Sequence, residues 1–412
     1  MGFAKGKSWW VSAGVAGGAA AAWIGLAIAC FPRVSGSHAQ DLSLYRRAAQ
    51  RVLAGQIPYR DFGIEYPPLA LLPITLPEWV LGRGAPTARY ALAFLLLNAV
   101  WSVALGACIW AAARRWVSAE RSLAAAGMYA LLAFVGAPLF PWRFDLFPTL
   151  LSALSLVLVM KGRPAAAGIS LGAGVAAKLY PIVFLPIFVA WYLARGERGR
   201  ALRFMVCTFA ATTLICAPFV WAARADFLSF LRYHQLRGLQ IESASAGLLM
   251  LGHTLGVGGV SIVENFGAIH LLSPTSAGVI RWLLPAFVAG WSAVAFLAFS
   301  RFRNERSSGR AASDQTLAGY ALVALLVFML TNKVLSPQYV IWLLPFIALL
   351  PAPEYALGLA ATVLTIVIFP YGYDRLLRME MPVVLLLNAR NLLWAVLAAT
   401  ILWRLRPRHG CR

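Results

Sequence analysis

The sequence is short of charge, and shortest of acid. Of its 412 residues, 12% are Asp, Glu, Lys or Arg and only 15 are acidic, where a soluble domain carries about 25% charged residues. That excludes a water-soluble globular chain, and it excludes a disordered one, which stays unfolded by being polar and highly charged. No Asp-x-Asp pair occurs, so the short acidic cluster with which nucleotide-sugar enzymes hold a divalent metal is missing. The cysteines are few: Cys30, Cys108, Cys207, Cys216 and Cys411. Their spacing fits neither a disulfide framework nor a zinc site. Ala27-Ile28-Ala29-Cys30 is faintly like a lipoprotein cleavage box, but further apolar runs follow, so Cys30 reads as a membrane-helix residue. Also lacking are a Walker-type phosphate loop, a nucleophile elbow and an internal repeat.

What is present is apolar sequence: 61% hydrophobic residues and a mean hydropathy of +0.74. Together with 36 Lys and Arg and a formal charge of +21, this describes a bilayer protein rather than a nucleic-acid-binding one. The runs are Trp9 to Phe31, Arg89 to Ala113, Ser122 to Phe140, Leu146 to Met160, Pro164 to Ala194, Ala201 to Ala222, Pro274 to Phe299, Thr316 to Pro351, Tyr355 to Phe369 and Pro382 to Trp403. Two are too long for one helix, and each is interrupted by a lysine and a proline: Lys178-Leu179-Tyr180-Pro181, and Asn332-Lys333 with Pro337. Counting those breaks predicts an all-α membrane protein, a bundle of about twelve spans at about 20 residues each, some short or broken. The basic clusters Lys161/Arg163 and Arg195/Arg198/Arg200/Arg203 belong in the cytoplasm by the positive-inside rule. The run between them therefore turns back near the outer side. The same rule places Lys5 and Lys7, the basic loop Arg301 to Asp314 and the tail Arg404 to Arg412 inside, with both termini cytoplasmic in a plasma (inner) membrane.

Residues 1–412 read as one transmembrane domain with two long outer segments, 32–88 and 223–273. Both are polar, aromatic and basic, and function on a multi-span protein concentrates in such segments. In the first, Leu42, Tyr45, Ala49, Val52 and Leu53 share a helical face opposite Arg46, Arg47, Gln50 and Arg51. That pattern predicts an amphipathic helix flat on the membrane, arginines toward lipid phosphates, ended by Gly55. A second short helix is expected from about Pro68 to Val80. Asp41 opens the amphipathic stretch and has two readings: an N-cap carboxylate, or a general base where a membrane-anchored substrate meets water.

Several stretches resemble one family over nearly the full length. They are Asp41 with Tyr45, Gly55-Gln56-Ile57-Pro58-Tyr59, Tyr66-Pro67-Pro68-Leu69, Arg143-Phe144-Asp145, Lys178-Leu179-Tyr180-Pro181, Arg237-Gly238-Leu239-Gln240-Ile241-Glu242-Ser243, and Ser336-Pro337-Gln338-Tyr339-Val340-Ile341-Trp342-Leu343-Leu344-Pro345. In order and sidedness they resemble the GT-C class of integral-membrane glycosyltransferases, most closely the polyprenyl-phosphate-mannose-dependent, family 87-like group. The resemblance implies a GT-C fold. It also implies inverting transfer of a hexose, mannose in that group, from a polyprenyl-phosphate donor to a glycolipid or glycan acceptor on the outer face. The lipid-phosphate sugar would be co-substrate, membrane lipids the other partner, and no metal, cofactor or nucleic acid would be needed.

Such a displacement needs a carboxylate to take the acceptor proton and donors on the departing phosphate. The resemblance puts Asp41 in the first role, ahead of Asp61, Glu65, Glu78, Asp145, Asp226, Glu242, Glu264, Asp374 and Glu380 among the outer acids. For the phosphate, the candidates are Lys178, Arg237 and Lys333, then Arg143 and His234. Each has a plainer reading: snorkelling for the two lysines, an acid partner for Arg143, lipid headgroups for Arg237, solvent for His234. Tyr59, Tyr66, Tyr339 and Trp342 either stack on sugar faces or anchor at the membrane interface; Gln338 and Glu242 lie inside family-like stretches. The competing class is a transporter or flippase of a lipid-linked sugar, because broken helices also mark transporter sites. Polar motifs on one face and the lack of related halves argue against it. A lipid-linked oligosaccharide ligase would be expected to carry its catalytic residues in one large late loop.

Overall fold

A computed structural model of the chain describes residues 3–82, 84–307 and 313–406, and within these the side chains outside 3–17 and 32–39. The side chains of Lys5, Lys7 and His38, and the tail residues His409 and Cys411, lie outside the described residues.

The described chain begins with α1 (Phe3–Leu53), α2 (Leu71–Leu81), α3 (Thr87–Ala113), α4 (Ala119–Val135) and α5 (Leu146–Met160). The broken run gives α6 (Pro164–Ala177) and α7 (Leu185–Ala194), separated by a 3-10 turn over Tyr180–Phe184, and α8 (Arg198–Ala223) follows. Next come α9 (Ser229–Leu236), β1 (Leu239–Gln240), α10 (Ala244–Thr254), β2 (Ser261–Asn265), β3 (Ala268–Leu272) and α11 (Ser276–Ser307). The chain closes with α12 (Asp314–Leu330), α13 (Val340–Ile347), α14 (Ala352–Ile366), α15 (Tyr373–Leu377) and α16 (Met381–Leu405). Among the described residues, five helical stretches are long and apolar enough to cross a membrane: Thr87–Ala113, Arg198–Leu236, Ser276–Ser307, Ala352–Tyr371 and Met381–Leu405. Shorter apolar helices, including Leu146–Met160, Pro164–Ala177 and Asp314–Leu330, pack among them.

The helix breaks lie where lysine and proline interrupt the apolar runs. At Lys178 the backbone leaves α6 in an extended conformation, because Pro181 has no amide hydrogen for the Ala177 carbonyl and its ring would crowd that carbonyl in a continued helix. A short 3-10 turn, Pro337–Tyr339, likewise separates α12 from α13. Close approach holds α6 to α8: a side chain at Gly168 or Gly172 would meet the Phe204 or Thr208 carbonyl oxygen at 2.4 or 2.3 Å. Small residues that let two backbones touch are the usual means of joining helices in lipid.

Two expectations are corrected. The fold is not purely helical: β1, β3 and β2 form a small antiparallel sheet in that order, Gln240 opposite His270 and Val263 opposite His270 on the other side. Nor is the amphipathic stretch a separate surface helix. It is the C-terminal part of α1, so Asp41 lies within a helix and is not its N-cap. Its apolar face is covered by protein: Leu42, Tyr45 and Ala49 are buried with Ile74, Tyr90, Phe94, Trp142 and Phe144. Arg46 turns inward as well, pairing with buried Glu78, which also accepts from Gln50. Protein side chains bury more apolar area here than headgroups would, and the ion pair satisfies the arginine. Gly55 does end α1: at φ +84° it lets Gln56 N–H reach the Arg51 carbonyl at 3.0 Å, the wrap-around bond of a left-handed cap.

Candidate active site

Asp41 lies beside buried Leu42 on α1 and keeps 34% of its side chain exposed. There it is paired with the buried guanidinium of Arg143. Arg143 follows the tight turn Phe140–Trp142, and that turn is pinned from α3: Asn98 Nδ2 donates to the carbonyls of Pro141 and Arg143 at 2.7 and 3.1 Å. A buried arginine is tolerable only when its charge is met, and Asp41 meets it. Burial raises the Asp41 pKa above the ordinary carboxylate value; Arg143 opposes the rise and the nearby Glu65 adds to it.

Two residues on, Asp145 is only 1% exposed. Its Oδ1 accepts from Lys178 Nζ at 2.6 Å and from Trp342 Nε1 at 2.7 Å. The lysine lies over the Phe144 ring at 4.8 Å and the Tyr66 ring at 5.5 Å. Trp342 is sandwiched between Tyr339 at 3.8 Å and Tyr180 at 4.1 Å. The break after α6 thus does not send Lys178 snorkelling, and Trp342 is not an interface anchor. Both converge on one buried carboxylate.

Further members of the cluster come from α9 and the chain after it. His234 Nε2 lies 3.0 Å from the Glu65 carbonyl, and the Arg237 guanidinium lies 5.9 Å from the centre of the Tyr233 ring. Asp41, Glu65 and Arg237 all act electrostatically on the Tyr233 hydroxyl. Arg237, Asp145 and Glu65 likewise act together on that of Tyr339. Arg237 has no ion-pair partner among the described residues, and its Nε is buried without a hydrogen-bond partner. Behind it, Lys333 Nζ donates to the carbonyls of Gln235 and Arg237, both at 2.7 Å, closing the C-terminal end of α9 where a cation is favoured.

The structure therefore gathers Asp41, Arg143, Lys178, His234, Arg237, Tyr66 and Tyr339 around one cluster, with Lys333 behind Arg237. Tyr59 is elsewhere in function: it is buried among Phe219, Phe227 and Phe230, at φ +70°, and its hydroxyl donates to the Tyr66 carbonyl at 2.6 Å. It props the Tyr66 segment and offers no open face. Gln338 is half-buried in the turn before α13. Glu242 shares no partner with the cluster; it is fully buried against Arg390 of α16, 3.2 Å away. Sequence reasoning missed Asp145 as the partner of Lys178, His270 beside Arg237, and Arg390 altogether. The signal for Arg390, a charge inside an apolar run, is the one that singled out Lys178. Among the described residues, no three His, Cys, Asp or Glu side chains gather closely enough to hold a metal ion.

The model of glycosyltransferase family 87 matches residues 64–331, more than half of the chain. The chain belongs to glycosyltransferase family 87. The matched region holds Glu65, Arg143, Asp145, Lys178 and Arg237, and lies between Asp41 and Lys333. No curated protein matches the sequence. Among solved structures, this family 87 chain is similar to ArnT from Cupriavidus metallidurans bound to undecaprenyl phosphate, with 16% identity and a TM-score of 0.47 over 88% of this chain and 72% of that one. It is also similar to the Archaeoglobus fulgidus oligosaccharyltransferase in the apo form, with 13% identity and a TM-score of 0.43 over 89% of this chain and 51% of that one.

Proposed function

We propose that this membrane glycosyltransferase moves a hexose, mannose by the motif resemblance, from a polyprenyl-phosphate donor to a hydroxyl of an envelope lipid or glycan, with inversion. The site is read as facing outward, in a GT-C-type bundle whose termini are cytoplasmic, and as working without a metal. The observation that carries this is that one cation-paired carboxylate, Asp41, and an arginine with no acidic partner among the described residues, Arg237, both come close enough to act on the same Tyr233 hydroxyl, in an aromatic-lined cluster.

In this reading the acceptor hydroxyl gives its proton to Asp41 as its oxygen bonds to the anomeric carbon. The bond from that carbon to the phosphate oxygen breaks, and the electron pair leaves with the phosphate. A carboxylate whose pKa is raised is a stronger base once ionised, and Arg143 fixes its direction. Arg237 offers donors to the charge that grows on the leaving phosphate. Lys178 reaches substrate only by sharing its ammonium with Asp145. Tyr66 and Tyr339 supply ring faces to the sugar.

The test is an in vitro assay of the purified protein with radiolabelled polyprenyl-phosphate sugars, following label into acceptor lipids. Transfer that falls about 10²–10⁴-fold in Asp41→Asn supports the reading. Full activity of that variant overturns Asp41 as base, and lipid flipping without transfer overturns the enzyme reading.

A further inference from the structure

His270 is fully buried on β3, and among the described residues neither of its ring nitrogens makes a hydrogen bond of full geometry; the Ala268 backbone is the one polar group that reaches the ring. A histidine normally finds at least one when buried. Its place is set by the sheet. His270 lies opposite Gln240, and its side chain packs over Gly238, where a Cβ at residue 238 would sit 3.4 Å from the His270 Cβ and 3.5 Å from the imidazole atoms Cγ and Cδ2. The residue before that glycine is Arg237, whose Nε is the other buried, unpaired group of this corner. An arginine Nε–H can only donate; a neutral imidazole always has one nitrogen that accepts. Two complementary groups thus stand unpaired on adjoining stretches of chain, at the cation the proposed reaction assigns to the phosphate.

The charge state of the ring fits an acceptor. Burial, then the positive charges of Arg237 and Lys333, push the His270 pKa down to about 4. These two are the charged groups acting on it; a hydrogen bond to the Ala268 backbone favours the proton and leaves the other nitrogen to accept, and Glu264 on the paired strand β2 acts on Tyr373 instead. The ring is therefore neutral at working pH, and an imidazolium here would repel the arginine.

Resting on the reading that the donor is a lipid phosphate, we infer that His270 is a positioning residue for Arg237. In the donor-bound enzyme its ring accepts the Arg237 Nε–H and turns the two terminal guanidinium nitrogens onto the phosphate. Lys333 completes the mount by holding the Arg237 carbonyl at 2.7 Å. The site so formed takes a phosphate ester, and a lipid chain is its source rather than free phosphate.

The experiment is binding of undecaprenyl monophosphate, without sugar or acceptor, to the full-length protein in nanodiscs, compared with undecaprenol and with inorganic phosphate. Variants are His270→Leu, His270→Gln, Arg237→Gln and the double variant Arg237→Gln/His270→Leu, each checked for unchanged thermal unfolding. The wild type is expected to bind the lipid phosphate well above both controls. His270→Leu should weaken it about tenfold or more, about 1.4 kcal/mol per factor of ten. His270→Gln, which keeps an acceptor, should recover most of the affinity. The double variant should bind no worse than Arg237→Gln alone, as coupled groups are not additive. A His270→Leu protein that binds like wild type, a glutamine that rescues nothing, or additive losses would overturn the inference. A wild type that prefers undecaprenol, or free phosphate, to the lipid phosphate overturns the donor reading itself.

Discussion

The ammonium of Lys178 meets the Asp145 carboxylate at 2.6 Å in a setting where the acid is 1% and the lysine 14% exposed. The same oxygen takes the Trp342 indole. A helix that breaks in apolar sequence, a turn that begins α5 and the start of α13 are thereby tied at one atom. Charge buried this deeply has to be paired, so the lysine is first a member of the fold, whereas Arg237 has no ion-pair partner among the described residues.

Removing one member of that pair should therefore cost far more than removing both. Lys178→Met leaves a buried carboxylate with only an indole, and the expected loss is about 3–5 kcal/mol. Lys178→Met/Asp145→Leu should lose much less. Reversible unfolding in detergent measures both, and a single variant as stable as wild type would remove the pair from the fold's support.

The pH dependence of transfer should report Asp41. A base works ionised, and burial together with Glu65 favours its neutral form. The acid limb of kcat/KM is thus expected above the usual value of about 4. Arg143 favours the ionised form, so Arg143→Met should move that limb to higher pH. Asp41→Asn should lower the rate about 10²–10⁴-fold with no acid limb left. A limb that stays in place in Arg143→Met would show that another group is titrating.

Parts of this were legible before the fold was known, for physical reasons that can be named. A lysine three or four residues before a proline inside an apolar run is a local signal, and both breaks, at Lys178 and at Asn332-Lys333, carry it. The glycine stop at Gly55 and the short helix beginning near Pro68 were local signals too. Partnerships are not local. Arg143 finds Asp41 across 102 residues and Trp342 finds Asp145 across 197, and nothing in either neighbourhood names the other. The amphipathic face of α1 was visible, but periodicity reads the same whether lipid or protein covers it. The hairpin of β2 and β3 was missed because its turn, Phe266-Gly267, takes two positive φ angles without the usual Asn-Gly pair.

Helix α6 carries Lys178 at its end, so its seat on α8 should matter for activity. A side chain at Gly172 would meet the Thr208 carbonyl at 2.3 Å, and the Gly172 carbonyl accepts from Thr212 at 3.1 Å. Gly172→Leu should force the helices apart, at about 1–3 kcal/mol. Gly199→Leu, where nothing lies within 4 Å, is the matching control. A lower melting temperature and lost transfer are expected in the first and neither in the second; equal behaviour would show that the close approach is not needed.

The Glu242–Arg390 pair gives stability its own pH dependence. Glu242 is pushed up to about 7 by burial, against the pull of Arg390, whereas in the unfolded chain a glutamate titrates near 4.3. Between those values the folded state holds the proton more tightly than the unfolded one. Stability contributed by this group is therefore fully present at low pH and falls as pH rises from about 4.5 to 7. In Glu242→Gln the group no longer titrates, so this part of the slope should disappear. In Arg390→Met the acid loses its counter-charge, its pKa rises further, and the fall should extend to higher pH. Since β1 and α10 hang on this pair through the Glu242 backbone, which accepts from Arg390 at 2.6 Å, Arg390→Met should also loosen the chain that carries Arg237. Melting temperature against pH for the three proteins checks the sign: a wild-type curve that rises through this window, or a slope that survives in Glu242→Gln, would place the titrating group elsewhere.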